Sequence, residues 1–306
     1  MIRIENLVKT FGPKRAVDGV SFSVERGEVL GFLGPNGAGK STTMRMITGF
    51  MPPTEGRVTV GGHDVAQSPL EAKRLIGYLP ENAASYPDMT VKGFLEFAAE
   101  LRGLDRSRRK QAVNRVVELC FLGSVLRQSI DTLSKGYKHR TCLAQALIHD
   151  PDVLIMDEPT DGLDPNQKHE VRNLIRELGK KKAIVFSTHI LEEVDAACTR
   201  AIIIDRGKIV ANGTPEELRS MSELAGAVTL SAHGVSEEKL ASLGRVERLN
   251  GAWRIYPRDK SKASQLAQAV VDLVAREGWK VEGMYSERGE LDEVFRRITL
   301  PDTVKQ

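Results

Sequence analysis

The sequence is short of the features that mark several large protein classes. Cysteine occurs three times in 306 residues, as Cys120, Cys142 and Cys198. That is too few and too scattered for a disulfide framework or a thiol-rich metal site. Each lies in an otherwise apolar helical pattern and reads as a small core residue. Long apolar runs are missing as well. Val153–Met156 and Ala201–Ile204 are strand-sized, whereas a bilayer crossing needs ~20 residues. The opening Met1-Ile2-Arg3-Ile4-Glu5 lacks the apolar core of an export signal, so the chain is expected to stay in the compartment where it is made. Excess charge of one sign is absent: 44 Lys+Arg against 41 Asp+Glu leave +3, which supplies no general pull toward nucleic acid or an anionic membrane. No repeat of 20–50 residues and no low-complexity tract is visible. What remains, 41% hydrophobic and 28% charged, excludes a disordered chain and suits one large or two unequal folded domains.

Periodicity divides the chain. Residues 1–25 alternate apolar and polar, as half-exposed antiparallel strands do. Val29-Leu30-Gly31-Phe32-Leu33 is a compact buried strand that runs into a glycine-rich turn, and a helix is expected from Thr42 to Gly49, stopped by Pro52-Pro53. A strand and turn over 56–62 precede a mostly helical stretch from about Thr90 to Ile148. The basic run Arg106, Arg108, Arg109 and Lys110 in that stretch reads as a solvated helical face. Strand Val153–Met156, helix Gln167–Leu178 and strand Ala183–Ser187 then imply right-handed crossovers and a parallel sheet buried on both faces. The pair Ala201–Asp205 and Lys208–Ala211 turns at Arg206-Gly207. Asn212-Gly213-Thr214, a sequon in form, reads as a turn before the capped helix Pro215–Ser220. From about Ala225 the count restarts as β-α-β-β-α-β, with helix Lys262–Arg276 and a hairpin at Asn250-Gly251, the order of a small ferredoxin-like unit.

Chemistry concentrates in three places. Gly34-Pro35-Asn36-Gly37-Ala38-Gly39-Lys40-Ser41, followed by Thr42, is a P-loop between a strand and a helix. Its glycines let backbone N–H groups fold around phosphate oxygens, Lys40 reaches the β- and γ-phosphates, and the Ser41 hydroxyl is placed for Mg²⁺. Val153-Leu154-Ile155-Met156-Asp157-Glu158 is a buried strand ending in two carboxylates, as a Walker B sequence does: Asp157 to hold Mg²⁺, Glu158 to polarise the attacking water. The third is Leu133-Ser134-Lys135-Gly136-Tyr137, beginning 24 residues before Asp157. Alone it is an ordinary capped helix start. Between these two elements it resembles the LSGGQ-like signature of the ATP-binding subunit of ABC transporters, and the resemblance extends over about residues 2–220.

That resemblance implies an α/β P-loop fold, with a mixed or parallel sheet, an antiparallel β subdomain and a helical subdomain at about 85–148. The ATPase domain would span 1–222 and an accessory α+β domain 223–306. It further implies ATP and Mg²⁺ as cofactors, Phe11 stacked on adenine, and Asp161-Gly162-Leu163-Asp164 as a D-loop, with Asp164 at the nucleotide. His189 becomes the switch histidine beside Glu158. Glu81 stands where most of the family carries a Mg²⁺-contacting glutamine, and Lys135 and Tyr137 depart from the common Gly and Gln. Both departures resemble the branch that serves ABC-2-type exporters, as does the ending Leu291-Asp292-Glu293-Val294-Phe295.

A P-loop and a signature on one chain cannot close on the same nucleotide. The resemblance therefore implies a head-to-tail homodimer, with each ATP between Lys40 of one copy and Ser134 and Gly136 of the other. It also implies separate integral membrane permease subunits, docked near Thr90–Leu133 and the Glu81 loop, no nucleic-acid partner, and a cytoplasmic site on the inner face of the membrane. Tyr78, Tyr86 and Phe94 are candidate contacts, Phe94 being better suited to the core. Two other readings stay open: an ABC-type ATPase acting on ribosomes or DNA, and a regulatory nucleotide-binding protein of negligible turnover.

Overall fold

The alternating start of the chain becomes two antiparallel strands, β1 (Ile2–Phe11) and β2 (Lys14–Val24). Ile2, Ile4, Leu7, Val17, Val20 and Val24 point inward and are buried, as a period of two requires. These strands belong to a computed structural model that describes residues 1–82, 85–260 and 263–299. The chain divides into two units, residues 1–212 and 213–306.

In the first unit β3 (Val29–Leu33) is buried at every position and leads through the glycine-rich turn to α1 (Lys40–Ile47). The helix starts two residues before the expected Thr42, because Gly39 takes the left-handed cap position at φ 108°. β4 (Glu55–Val60) and β5 (His63–Asp64) complete an antiparallel sheet in the order β2-β1-β4-β5. Next come α2 (Pro69–Leu75) and β6 (Ile76–Leu79). Neither is announced by the sequence, since segments this short display no period. The helical stretch is α3 (Val91–Leu101), α4 (Arg106–Leu119) and α5 (Lys135–Leu147). Arg106 and Arg108 are exposed and Arg109 pairs with Glu100 at 2.8 Å, so the basic run is the solvated face that was expected. Cys120 and Cys142 are buried, and burial pushes both thiols up to about 12.

β7 (Val153–Asp157), α6 (Pro165–Gly179), β8 (Ala183–Thr188), the unanticipated α7 (Leu191–Ala197), β9 (Arg200–Asp205) and β10 (Lys208–Gly213) follow. The second sheet runs β10-β9-β3-β8-β7-β6, and β9, β3, β8, β7 and β6 are parallel. Alternate side chains feed two cores. Leu154, Met156, Ile184 and Phe186 pack with the helices α3–α5, while Val153, Ile155, Val185 and Leu30 pack toward α1 and the antiparallel sheet. A strand buried on both faces needs the continuous apolar run seen in each. The carboxyl ends of β3, β7 and β8 therefore emerge side by side, where open parallel sheets receive ligands.

The second unit opens with α8 (Pro215–Ser220), capped reciprocally by Thr214 and Glu217. β11 (Val228–His233), α9 (Glu237–Ala241), β12 (Gly244–Leu249), β13 (Ala252–Pro257), α10 (Ala263–Glu277), β14 (Lys280–Ser286) and α11 (Leu291–Ile298) follow. Its sheet is antiparallel in the order β12-β13-β11-β14, the ferredoxin-like arrangement expected from the element order. Lys262, where α10 was expected to begin, and residues 300–306 lie outside the described residues. Trp253 and Trp279 pack against the Val228, Leu230, Ile255 and Val270 core, as expected of residues that serve their own sheet.

Candidate active site

The turn after β3 wraps around its own lysine. Lys40 is 6% exposed and donates to the carbonyls of Gly34 at 2.7 Å and Pro35 at 3.3 Å, while the Thr43 hydroxyl anchors the turn by donating to Gly39 O at 2.9 Å. Gly34 is required by space: a Cβ there would lie 2.4 Å from Ile204 O. The loop borders a cleft of about 540 Å³. Pro35, Asn36, Gly37, Gly39, Lys40, Ser41 and Thr42 form one wall, and Phe11, Glu81, Glu158 and His189 are among the residues that face it. Gly34 and Ala38 do not line this cleft; both are buried. Phe11 stays 47% exposed, its ring free to stack apart from Lys9, whose ammonium sits 5.4 Å from the centroid.

Opposite the loop, Glu158 leaves the end of β7 with φ 52°, a left-handed backbone rare for a side-chain-bearing residue and costing about 1–3 kcal/mol. Its N–H is held by the Ser187 hydroxyl at 3.0 Å. Its carboxylate lies 3.6 Å from Lys40 Nζ and 2.9 Å from His189 Nδ1. Burial pushes the Glu158 carboxyl above the usual carboxylate range, and the hydrogen bond with His189 and the charge of Lys40 oppose that rise. Asp157 is 1% exposed. Its Oδ1 accepts from Ser187 Oγ at 2.5 Å, and its Oδ2 is buried with no hydrogen-bond partner. A buried carboxylate oxygen without a partner calls for a cation or its water. Among the described residues no three His, Cys, Asp or Glu converge as a metal site. A cation here would thus draw ligands from Asp157, Ser41 and the bound phosphates, which is the donor set a hard Mg²⁺ ion accepts.

Ser134, Gly136 and Asp164 lie outside the cleft lining. Ser134 caps α5, accepting from Tyr137 N at 3.4 Å. Gly136 is buried, and a Cβ there would meet Gln167 Oε1 at 2.5 Å. Asp164 caps α6, accepting from Gln167 N at 2.9 Å. Glu81 does reach the cleft. Three residues were not singled out for the site from the sequence. Lys14 and Ala16 line the cleft, and no local pattern marks either as a phosphate-site residue; Asp161, which opens the expected D-loop, lines it as well. Glu193, 1% exposed, accepts from the hydroxyls of Thr160 and Thr188, tying together the turns that carry Glu158 and His189. Its only signal is a glutamate in the first turn of a short helix.

The ABC transporter family profile matches residues 17–161. Linearmycin resistance ATP-binding protein LnrL of Bacillus subtilis (strain 168) is 37% identical over 251 residues, covering 82% of this chain and 81% of that protein. Nod factor export ATP-binding protein I of Rhizobium etli is 34% identical over 304 residues, 97% of this chain and 93% of that protein. Among solved structures, an ATP-binding subunit of an ABC transporter superposes with a TM-score of 0.67 at 30% identity, covering 72% of this chain and 92% of that one. A dimeric bacterial ABC transporter cassette, at 23% identity and a TM-score of 0.65 over 70% of this chain and 99% of that one, shares the fold.

Proposed function

The chain belongs to the ATP-binding subunits of ABC transporters, and on that footing we propose that two copies pair head to tail, close on two ATP molecules and power export through a separate membrane permease. The observation that carries this is a separation. Lys40, Glu158 and His189 meet around one cleft, whereas the Ser134 turn lies outside its lining. A second copy must supply that turn if it is to touch the nucleotide, and the solved relative described as a dimer supports such pairing. We assign residues 1–222 to the ATPase domain, a boundary ten residues beyond the division between the two units at 212/213, with 85–148 its helical subdomain and 223–306 an accessory domain.

In the cleft the Gly37–Thr42 backbone and Lys40 hold the phosphates, and Phe11 receives adenine. Ser41 and Asp157, with Glu81 at the cleft wall, would hold Mg²⁺, which would supply charge neutralisation when bound. Glu158 is aimed by its left-handed backbone and held between Lys40 and His189. It takes a proton from the water whose oxygen bonds to the γ-phosphorus, as the bond from that phosphorus to the bridging oxygen breaks. His189 keeps Glu158 oriented and faces the departing phosphate. Among the described residues no helix is long and apolar enough to cross a membrane. The work on cargo belongs to the permease, and this chain is peripheral on the cytoplasmic face. In the helical region Tyr86 is 56% exposed, edge-on to Phe97, and borders a groove of about 440 Å³ with Leu101 and Arg102 that suits a permease helix. Phe94, 5% exposed, belongs to the core, as preferred from the sequence.

Glu158→Gln tests the proposal. It leaves binding groups in place while removing the proton acceptor, so gel filtration with ATP should show a stable dimer and turnover should fall about a hundredfold or more. A variant that stays monomeric with ATP refutes the pairing.

A further inference from the structure

Asp161 puts a carboxylate into the wall of the cleft, where an unneutralised negative charge would repel a polyphosphate. It is neutralised from outside the cleft. Lys135 Nζ donates to Asp161 Oδ2 at 2.7 Å, and that bond is the foremost cause holding the Asp161 carboxyl below the usual range. Lys135 is the first residue of α5, directly after Ser134. The surroundings fit the lysine closely. Its stem crosses Gly162, where a Cβ would lie 2.5 Å from Lys135 Cδ and Cε and where φ is +68°. One helical turn on, the buried His139 hydrogen-bonds the backbone of Pro159, and Arg140 bonds Glu170 at 2.5 Å. The first turns of α5 are thus docked on residues 159–170 of the same chain.

We propose that Lys135 is a positioning residue that sets nucleotide affinity in its own chain's cleft, by serving as the counter-ion of Asp161. The role rests on the reading of this cleft as the ATP site. Nucleotide in the cleft feels whether the pair is made, and by reciprocity the pair and the turn it holds feel the nucleotide. Lys135 would then link the ATP held by a chain to the Ser134 turn that the same chain offers its partner. The two side chains are 68% and 49% exposed, so the pair contributes little to folding, and its variants should fold normally.

The test is ADP binding to the full chain by calorimetry at low and high salt. Lys135→Met should weaken ADP binding about three- to tenfold at low salt, with the difference shrinking at high salt as screening takes over. Adding Asp161→Asn to it should restore the affinity to within about twofold of the parent, and Asp161→Asn alone should bind no more weakly than the parent. Packing loss alone would produce neither the salt dependence nor the rescue. Lys135→Met binding like the parent, or a double variant as weak as Lys135→Met, overturns the proposal. Lys40→Ala retaining full ADP affinity would instead remove the cleft assignment on which it rests.

Discussion

Glu193→Ala strips a carboxyl group from the interior just behind the Glu158–His189 pair. Glu193 is 1% exposed, Thr160 2% and Thr188 0%, so water does not readily replace the lost acceptor. A buried hydroxyl deprived of its partner costs about 1–3 kcal/mol. Thr188 falls at the low end because its oxygen still accepts from Ile190 N at 3.0 Å. The emptied volume adds about 1 kcal/mol or more, which brings the total to roughly 3–5 kcal/mol. Glu193→Gln keeps the volume and one acceptor, and Thr160 or Thr188 can rotate its hydroxyl to accept from the amide, so it should cost about 1 kcal/mol. In a unit of 212 residues, a shift of about 2–4 °C per kcal/mol lowers the melting temperature by about 10 °C for alanine and about 3 °C for glutamine. Both tryptophans, Trp253 and Trp279, lie in the other unit. Tryptophan fluorescence therefore does not report directly on this unit, and scanning calorimetry or amide exchange in β7 and β8 is the right assay. Turnover should fall in step, with kcat reduced more than KM, because Thr160 and Thr188 flank Glu158 and His189. An alanine variant melting within 2 °C of the parent, or a glutamine variant as damaged as alanine, would refute the reasoning.

The acid limb of stability should carry a histidine signature. Burial pushes the His149 imidazole down to about 4, so between pH 6.5 and about 4 the unfolded chain binds a proton that the native one declines. The stability tied to His149 is whole above pH 6.5 and drains as pH falls toward 4, at up to about 1.4 kcal/mol per pH unit. His149→Gln should flatten that part of the urea-midpoint curve, and an unchanged slope would remove His149 as the cause. Gly39→Ala should abolish ADP binding and cost about 2 kcal/mol or more, because φ is +108° and the new Cβ would lie 2.6 Å from Ala16 O. Isothermal calorimetry showing parental affinity would contradict this.

Local chemistry wrote much of this protein into its sequence. A strand covered on both faces must be apolar throughout, so β3, β7 and β8 are legible as unbroken runs. A phosphate loop must be glycine-rich between strand and helix, so residues 34–41 are legible as a site. The β-α-β-β-α-β order of the second unit follows from alternating periods and the Asn250-Gly251 turn. Short elements that borrow their stability from packing, such as β6 and α7, show no period and stay hidden. Beyond reach of any linear reading are the contacts that join distant segments. The left-handed backbone of Glu158, the buried Glu193 that gathers Thr160 and Thr188, and the lysine at 135 that meets Asp161 depend on burial and charge proximity. Those arise only when the strands align. The sequence alone determined which chemical groups are present and which of the longer segments form strands, helices and turns, because these follow from residue type and local period. Tertiary structure decided which groups share one cleft and which remain outside it, because distance and desolvation are properties of the fold.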